Sequence, residues 1–577
     1  MKPLHTRDIT LGQDTLFDAW LYSMLMDNNL AYTLNPHLIA SQEQLDFMVQ
    51  REKQGVYLPC SDATFALLGE KDRKGELQKQ YNRAWRIICR LICESISDHA
   101  TRSRIFQFCR LRFCQYTAQR TLLPSRLVKR MTDLVLKQSF SPMEDPWIEK
   151  RRQAVRKHHA LMQSPEFQEV LDSVSCDCQN QRISHIREYL NGLEIIRLFC
   201  LTLMARKWED NPPDKELLRE TLTKAELAAG EVLSLFTAGD KPKQIILYLA
   251  DADGSTYFDL MSIQALISMG HKVIYAVKED FHFYAPTLAD LSNDAILEKQ
   301  LGNAKILHQA SISKNALLRE LKANDLLIIS DGTRERLNLY RVSVTFARAW
   351  KEADVIVSHG WRACDILLGT SFEFTRDIIC FCQDTQGFHI TLRKQAASSH
   401  KFSERDIKEQ AGLIIQTMRN AHKEKRAVIF YSCIIGSLPG QTSQAIELAT
   451  TFVEHLRKKL DNVLIINPAE HFIAGMDGDD LMYMWEIVQR SGEIDVWRFQ
   501  SSADIEQSFA LLGRKVPQAW SGKDATYSTG CTKEMHIALD VQKSNPEMQI
   551  IGPDPKLFFR RGEYGVGKYF DASIKKA

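Results

Sequence analysis

The sequence predicts an α/β protein: a helical N-terminal domain, then a doubly wound, mostly parallel sheet, and a second α/β segment at the C-terminal end. Up to about residue 235, apolar residues recur at the spacing of amphipathic helices. From Lys243 onward, short apolar runs alternate with helical stretches, as in parallel strands joined by crossover helices. Several of these runs end in polar turns that contain glycine. Such turns converge at the carboxyl edge of a parallel sheet, where ligands bind.

Length and composition limit the architecture and the class of partner. A chain of 577 residues is too long for one ordinary core. We expect a helical domain over 1–235, an α/β core over 236–400 and a C-terminal α/β segment over 401–577. A hydrophobic content of 44% and a charged content of 25% are normal for a soluble globular protein. The formal net charge of +2 gives no overall field for a polyanion, so no nucleic-acid partner is expected.

Membrane and secretory signals are not found in the sequence. No apolar run is long enough to span a bilayer, so no membrane partner is expected. The first residues, MKPLHTRDITLGQD, lack the apolar core of a secretory signal. The 13 cysteines are odd in number and form no repeating framework, as expected for free thiols in a reducing compartment. These features predict a cytoplasmic protein.

The N-terminal part is predicted to be almost entirely helical. Apolar stripes run along Tyr81–Ile96 and Ile186–Phe199, and such stripes belong to a core more often than to a cofactor site. The basic stretch Lys150–His159 is interpreted as a solvated helix face, since no aromatic residues are interleaved with it. Consecutive prolines within Trp208–Lys215 break the helical pattern.

The strands of the central part are predicted from apolar runs bounded by turn residues. They are Gln244–Ala250, His271–Val277, Asp325–Ser330, Ala353–Ser358 and Asp377–Cys382. A polar helical connector over Lys394–Arg426 leads to the second segment. Its predicted strands are Ala427–Ile435, Asn462–Asn467, Asp495–Phe499 and Glu547–Ile551.

Asp251 and Asp253 directly follow the first of these strands and are the leading candidates for chemistry. Two carboxylates at that spacing can share a hard cation such as Mg²⁺. They could equally cap the next helix and complement its dipole. In a phosphatase of the haloacid dehalogenase type, the first aspartate would be a nucleophile and the second a general acid. The later lysine and acidic motifs of that family are not found in this sequence.

A longer series of segments resembles the damage-control phosphatase family, which has an acidic-residue-methyltransferase-like metal-binding fold. The series runs from the first strand through KVIYAVK, PTLADL, LLIISDGT and ADVIVSHGW to DIICFC, over roughly Lys243–Lys394. The resemblance implies a helical region followed by a Rossmann-like α/β core. It also implies a metal-dependent phosphatase that acts on sugar phosphates or damaged metabolites, with Mg²⁺, Mn²⁺ or a similar divalent metal as cofactor.

The family's metal site begins with Asp-Asn at the end of the first strand. Asp251 matches the aspartate, Ala252 stands in place of the asparagine, and Asp253 is the candidate replacement ligand. The family's second aspartate corresponds to Ala285, and its later acidic position is matched by Asp290. The resemblance therefore implies a metal site at Asp251, Asp253 and Asp290. Loss of two oxygen ligands should weaken such a site unless other groups compensate.

The resemblance also implies groups that meet the phosphate. The family's Lys-Gly after the fourth strand is His359-Gly360 here, and His359 joins Asp251 and Asp253 as a candidate catalytic residue. Histidine keeps a hydrogen-bond donor but carries a full charge only when protonated. The turn Asp331-Gly332-Thr333 follows another strand and is predicted to orient phosphate oxygens together with His359. Gly360 is a further candidate binding residue.

Two turns of the C-terminal segment could hold an anion. Gly436, Gly440 and Thr442 lie between a strand and a helix, but Gln441 occupies the position of the lysine of a phosphate-binding Walker loop. Lys523, Ser528 and Thr529 precede another predicted helix start. Cys531 at that helix start would have a lowered pKa, but no histidine partner is identified for it.

Three functions remain open from the sequence alone. The first is metal-dependent hydrolysis of a phosphorylated small molecule. The second is a non-catalytic metabolite sensor, favoured by Ala252, Ala285 and His359. The third is a transferase that uses both α/β segments, with the turns around Gly436 and Ser528 holding a second substrate.

Overall fold

The computed structural model describes residues 5–36, 44–45, 47–51, 55–69, 74–139, 145–174, 182–228, 234–237, 243–384, 387–438, 441–471, 473 and 476–559. Among them, no helix is both long enough and apolar enough to cross a bilayer. The chain divides into two compact units. Unit 1 comprises Met1–Pro36, Gln44–Ala310 and Leu317–Ser399, and unit 2 comprises His37–Glu43, Ser311–Ala316 and His400–Ala577.

Helices dominate the first part of unit 1, as the apolar stripes predict. They are α1 Thr15–Asp27, α2 Asp62–Gly69, α3 Lys74–Ser95, α4 His99–Ala118, α5 Pro124–Gln138, α6 Ile148–Met162, α7 Pro165–Asp172, α8 Ile183–Asp210, α9 Lys215–Ala228 and α10 Ser234–Thr237. Polar side chains cap several of them; Asp98, for example, accepts a hydrogen bond from the backbone N–H of Thr101 at the start of α4. The apolar faces of α1 to α5 enclose a core of their own that includes Leu21, Ile88 and Met131.

The second part of unit 1 is built on a seven-stranded sheet. Its strands are β2 Ile245–Leu249, β3 Lys272–Val277, β4 Lys305–Leu307, β5 Leu326–Ser330, β6 Val355–His359, β8 Asp377–Gln383 and β9 Phe388–Arg393. The order is β4-β5-β3-β2-β6-β8-β9, and every pair is parallel except β8 and β9. Two short strands, β1 Val49–Gln50 and β7 Glu373–Phe374, form a separate antiparallel pair.

Helices connect and cover this sheet. They are α11 Thr256–Ser268, α12 Leu288–Asn293, α13 Ala295–Leu301, α14 Lys314–Ala323, α15 Val344–Glu352 and α16 Trp361–Leu367. One large apolar core joins residues of α6 to α9 with α11 and the inner strands. Within it, the rings of Phe199 on α8 and Phe381 on β8 are stacked, with centroids 4.1 Å apart. The helical region therefore shares a core with the sheet.

The order of the strands creates a switch point beside β2. After β2 the chain forms β3, β4 and β5 on one side and then crosses to form β6 on the other side. Leu249 pairs with Ser358, so the residues that follow β2 and β6 emerge next to each other. In open parallel sheets, ligands bind in the crevice at such a point.

Unit 2 has a four-stranded parallel sheet in the order β11-β10-β12-β13. Its elements are α17 Glu404–Lys423, β10 Ala427–Ser432, α18 Thr442–Lys459, β11 Val463–Ile466, α19 Gly478–Gln489, β12 Val496–Phe499, α20 Ser502–Leu511, α21 Thr529–Ser544, β13 Gln549–Ile551 and α22 Pro555–Phe558. The helices α17, α19 and α21 contribute to one core, and α18 and α20 contribute to smaller ones. The structure thus confirms the predicted fold class: a helical region, a doubly wound sheet and a C-terminal α/β segment.

Candidate metal centre and its cavity

Three predicted residues meet at the switch point. Asp251 and Asp253 lie in the turn after β2, and His359 is the last residue of β6. One ligand atom from each of the three side chains can be chosen such that all lie within 4.8 Å of one another. Both aspartates are partly buried, whereas the His359 side chain is fully buried. The register of β2 on β6 brings these residues together across a long stretch of sequence.

Gly360 shapes this site by lacking a side chain. Its φ angle is +79°, in the region that favours glycine. A Cβ atom at this position would lie 2.0 Å from Oδ2 of Asp251 and 3.7 Å from Oδ2 of Asp253. The Asp251 carboxylate therefore occupies the space that any other residue at position 360 would need.

Asp259 on α11 lies next to the buried ring of His359. Nε2 of His359 lies 3.2 Å from Oδ1 of Asp259, within ion-pair distance. Oδ2 of Asp259 accepts a hydrogen bond of 2.9 Å from the Tyr275 hydroxyl, and Oδ1 accepts one of 3.1 Å from Ser255. Such a carboxylate fixes the orientation of a histidine and increases its strength as a ligand.

The charges of the site are strongly coupled. Burial by itself would lower the pKa of His359, but the nearby carboxylates, led by Asp259, raise it to about 9. Burial and the adjacent Asp251 raise the pKa of Asp253, and His359 partly offsets this effect. Positive charge close to Asp253 therefore favours the ionised form of its carboxyl group in this site.

The arrangement of polar atoms fits a bound cation. Oδ1 of Asp253 is buried and has no hydrogen-bond partner among the described residues. Neither ring nitrogen of His359 makes a hydrogen bond of good geometry within the described part of the chain, despite the short distance to Asp259. Buried polar atoms normally find a partner. Two carboxylates and an imidazole are suitable ligands for a divalent metal.

The aspartates open onto a large cavity. Its volume is about 610 Å³, and its walls include residues of α3, α5 and α8 in addition to the switch-point turns. Basic side chains dominate the charged part of the lining: Arg83, Arg86, Arg90, Arg126, Lys129, Arg206, Arg336, Arg341 and Arg362. The charge and the size of the cavity suit an organic anion.

Two of these arginines lie near the aspartates and were not identified from the sequence. Arg336 and Arg362 also line a smaller cavity, of about 60 Å³, that Asp251 shares with them. Arg336 donates a hydrogen bond of 3.0 Å to Asp365 and another to the backbone oxygen of Arg362. Both arginines follow a strand by a few residues, in DGTRER and HGWR, and that position is the signal that could have identified them.

Asp290 is engaged in other contacts. Its Oδ1 lies 2.9 Å from Arg151, and its Oδ2 accepts hydrogen bonds from the backbone and hydroxyl of Thr287 in a capping box at the start of α12. It does not belong to the group formed by Asp251, Asp253 and His359. A role for Asp290 as a metal ligand stays a prediction, and its contacts give it a structural role.

The turn Asp331-Gly332-Thr333 is also tied into the protein. The buried Nζ of Lys278 lies 2.5 Å from Oδ2 of Asp331 and 3.1 Å from the Thr333 hydroxyl. A Cβ on Gly332 would lie 2.8 Å from the backbone nitrogen of Ser343. Of the three residues, Asp331 reaches the smaller cavity beside Asp251. Binding of phosphate by this turn stays a prediction.

The remaining predicted binding residues belong to unit 2. Thr442 and Thr529 are the first residues of α18 and α21, and Ser528 caps α21 by accepting from the Cys531 N–H. Nζ of Lys523 lies 3.9 Å from the centre of the Tyr527 ring. Gly436 lies in the turn after β10, and Gly440 lies outside the described residues. Their role in binding a substrate stays a prediction.

Cys531 differs from the sequence-based expectation. Its thiol is buried at the start of α21, and burial raises its pKa well above the usual range, where a lowered value was expected. The desolvation of the thiolate outweighs the effect of the helix terminus. The structure thus argues against a nucleophilic role for this cysteine.

Comparisons with known proteins give a likeness among solved structures. No family model matches the sequence, and no curated protein gives a significant match. Among solved structures, the chain is similar to a DUF89 family protein from Pyrococcus horikoshii, with a TM-score of 0.34 and 19% sequence identity. The match covers 53% of this chain and 90% of that one.

Proposed function

We propose that the protein is a metal-dependent phosphatase that hydrolyses a phosphate ester of a small organic molecule. The observation that carries the proposal is the meeting of Asp251, Asp253 and His359 at the switch point, beside a cavity with a basic lining. The first feature suits a divalent cation, and the second suits the anionic substrate.

Each group has a part in the proposed reaction. Asp251, Asp253 and His359 would hold the cation, with Asp259 orienting the histidine. A bound divalent cation supplies Lewis acidity toward the phosphoryl group and favours ionisation of water. The water oxygen would form a bond to phosphorus as the ester P–O bond breaks, and a proton that the water loses would end on the departing alkoxide, giving the free alcohol and inorganic phosphate. Arg336 and Arg362, which line a cavity with Asp251, would neutralise the negative charge on the phosphoryl oxygens.

The proposal is tested by metal binding and hydrolysis in matched variants. Isothermal titration with Mn²⁺ and Mg²⁺ should detect a site in the wild-type protein, and a panel of sugar phosphates should release inorganic phosphate when metal is present. Asp251→Asn should lose both signals. Asp325→Asn is the control, because Asp325 is exposed and precedes β5, at the opposite edge of the same sheet. Retention of metal binding and turnover in Asp251→Asn would contradict the assignment.

A metabolite sensor is the second candidate. Ala252 and Ala285 stand at positions where the resembled family has oxygen ligands, and Ala285 is fully buried. A site with fewer oxygen ligands could bind a phosphorylated molecule without cleaving it. Binding of a phosphate ester without metal and without phosphate release would favour this candidate over the phosphatase.

A further inference from the structure

One wall of the large cavity is formed by a row of arginines on α3. Arg83, Arg86 and Arg90 are separated by three and four residues, so they lie on one face of the helix. All three line the cavity that also contains Asp251 and Asp253. Their side chains are exposed, and none forms a salt bridge with a described residue. We call this set the α3 arginine face.

Other cations of the cavity differ from this face because protein groups engage them. Arg126 pairs with Glu335 at 3.1 Å, and Lys129 pairs with Asp133 at 2.9 Å. Arg206 stacks over the ring of Tyr284. The α3 arginine face is therefore a group of three exposed cations in the lining for which no ion pair with a described carboxylate is formed.

The cavity is much larger than one phosphate group requires. A volume of about 610 Å³ corresponds to roughly twenty water molecules at ~30 Å³ each. A small phosphate ester bound at the aspartates would leave much of this space filled with water. The wall of unpaired arginines would then face solvent only, next to a site that requires an anion.

The positive charge extends through the cavity. Burial lowers the pKa of His282, a lining residue, and the nearby Lys278, Arg362 and Lys129 lower it further. Nε of Arg126 is buried and makes no hydrogen bond to a described residue, so it keeps a free donor. These features add positive potential to the part of the cavity away from the two aspartates.

We propose that the α3 arginine face is a second anion-binding subsite, so that the substrate carries a second anionic group apart from the phosphate at the aspartates. The inference rests on the proposed function, because it takes the aspartate centre as the site of the first phosphate. The second group is a phosphate or a carboxylate, which arginine binds in the same way. The substrate class is thus a small phosphate ester with two separated negative groups.

The test compares two probes that differ in one anionic group. Glucose 1-phosphate and glucose 1,6-bisphosphate are titrated into the full-length protein with Mn²⁺ present. The second phosphate can form exposed ion pairs with the three arginines of the α3 arginine face. We therefore expect glucose 1,6-bisphosphate to bind about tenfold more tightly than glucose 1-phosphate. The variant Arg83→Gln/Arg86→Gln/Arg90→Gln should lose this advantage and keep its affinity for glucose 1-phosphate and Mn²⁺. Glutamine preserves the helix while it removes the charge.

A control variant removes the same number of positive charges from helix surfaces outside the cavity. Arg110→Gln/Arg187→Gln/Arg219→Gln changes exposed arginines of α4, α8 and α9 that do not line the cavity. It should keep the full advantage of the bisphosphate. The inference is overturned if the wild-type protein binds the two probes equally, if it binds neither, or if the advantage survives in the α3 variant. A further titration with glucuronic acid 1-phosphate shows whether the second anionic group of the substrate is a carboxylate or a phosphate.

The two proposals fail in different ways. Arginine-dependent binding of the bisphosphate without any phosphate release would support the subsite and reject the phosphatase. Phosphate release at rates independent of the α3 arginine face, with equal affinity for both probes, would reject the subsite and keep the phosphatase.

Discussion

At the scale of single residues, the candidate site depends on the close approach of Gly360 to Asp251. Sequence alone could predict Asp251, Asp253 and His359, because each stands at the end of an apolar strand. It could not predict the contact with Gly360 or the support from Asp259, because both depend on how β2, β6 and α11 are placed in space. The one available signal for Asp259 was an acid within the apolar stretch TYFDLMSI.

Replacement of Gly360 should therefore damage the metal site. Gly360→Ala would force the Asp251 carboxylate away, since the new Cβ would lie 2.0 Å from Oδ2. We expect Mn²⁺ affinity to fall by at least about tenfold, as for other changes that disturb ligand orientation. Gly492→Ala is the control, because Gly492 has a similar φ of +81° and open space around it. Its alanine variant should suffer backbone strain of about 1–2 kcal/mol from the positive φ and keep its metal affinity in a titration.

Asp259 should act on the metal through His359. Asp259→Asn removes the charge beside Nε2, so we expect the pKa of His359 to fall from about 9 and Mn²⁺ affinity to drop by about 10–100-fold. Tyr275→Phe removes one hydrogen bond to Asp259 but leaves the carboxylate, so its effect should be smaller. Histidine titration by NMR in the metal-free protein measures the first change, and calorimetry measures the second. Unchanged values in Asp259→Asn would refute the positioning role.

At the scale of elements, the inner strands of the seven-stranded sheet were predictable and its two edge strands were not. The apolar run at Gln244–Ala250 became β2 Ile245–Leu249, since a strand buried on both faces is apolar throughout. The strands β4 and β9 were not predicted: β4 has three residues, and in β9 only Phe388 is buried, while the other five residues are partly or fully exposed. The polar connector at Lys394–Arg426 contains α17, a twenty-residue helix with a capping box at Ser403. The edge strands of this sheet form because they hydrogen-bond to neighbouring strands, and the apolar pattern of their own residues is too weak to predict them.

One buried acid on α21 should make the stability of unit 2 depend on pH. Burial raises the pKa of Glu534 to about 7 from an ordinary value of 4.5, and Gln489 donates to its carboxyl. Between these values the folded protein holds a proton that the unfolded chain has released, so the free energy of unfolding falls as the pH rises. The full change is of the order of 3 kcal/mol.

Denaturant unfolding between pH 4.5 and 7 tests this expectation. Glu534→Gln should remove the dependence on pH in this window and make the protein more stable at pH 7. Glu506→Gln, which changes an exposed acid on α20, should retain the slope of the wild-type protein. A similar slope in both variants would show that the dependence arises from other groups.

At the scale of the whole molecule, the two compact units should respond differently to metal. Asp251, Asp253 and His359 all belong to unit 1. A ligand stabilises the state that binds it, by about 2.7 kcal/mol at a hundred times its dissociation constant. We expect Mn²⁺ to slow amide exchange in peptides from β2 and β6 and to leave β10 and β12 unchanged. Equal protection of both sets, measured by mass spectrometry, would contradict a metal site confined to unit 1.

The strand order also has a consequence for folding of the protein during its synthesis on the ribosome. Because β2 pairs with β6 and β6 is made much later, the two aspartates leave the ribosome well before His359 and Gly360 exist. Such a distant pairing forms slowly, since the intervening chain must first be closed into a loop. Until then the nascent chain carries two carboxylates without their histidine. Capture of the metal would thus mark the pairing of β6 with β2.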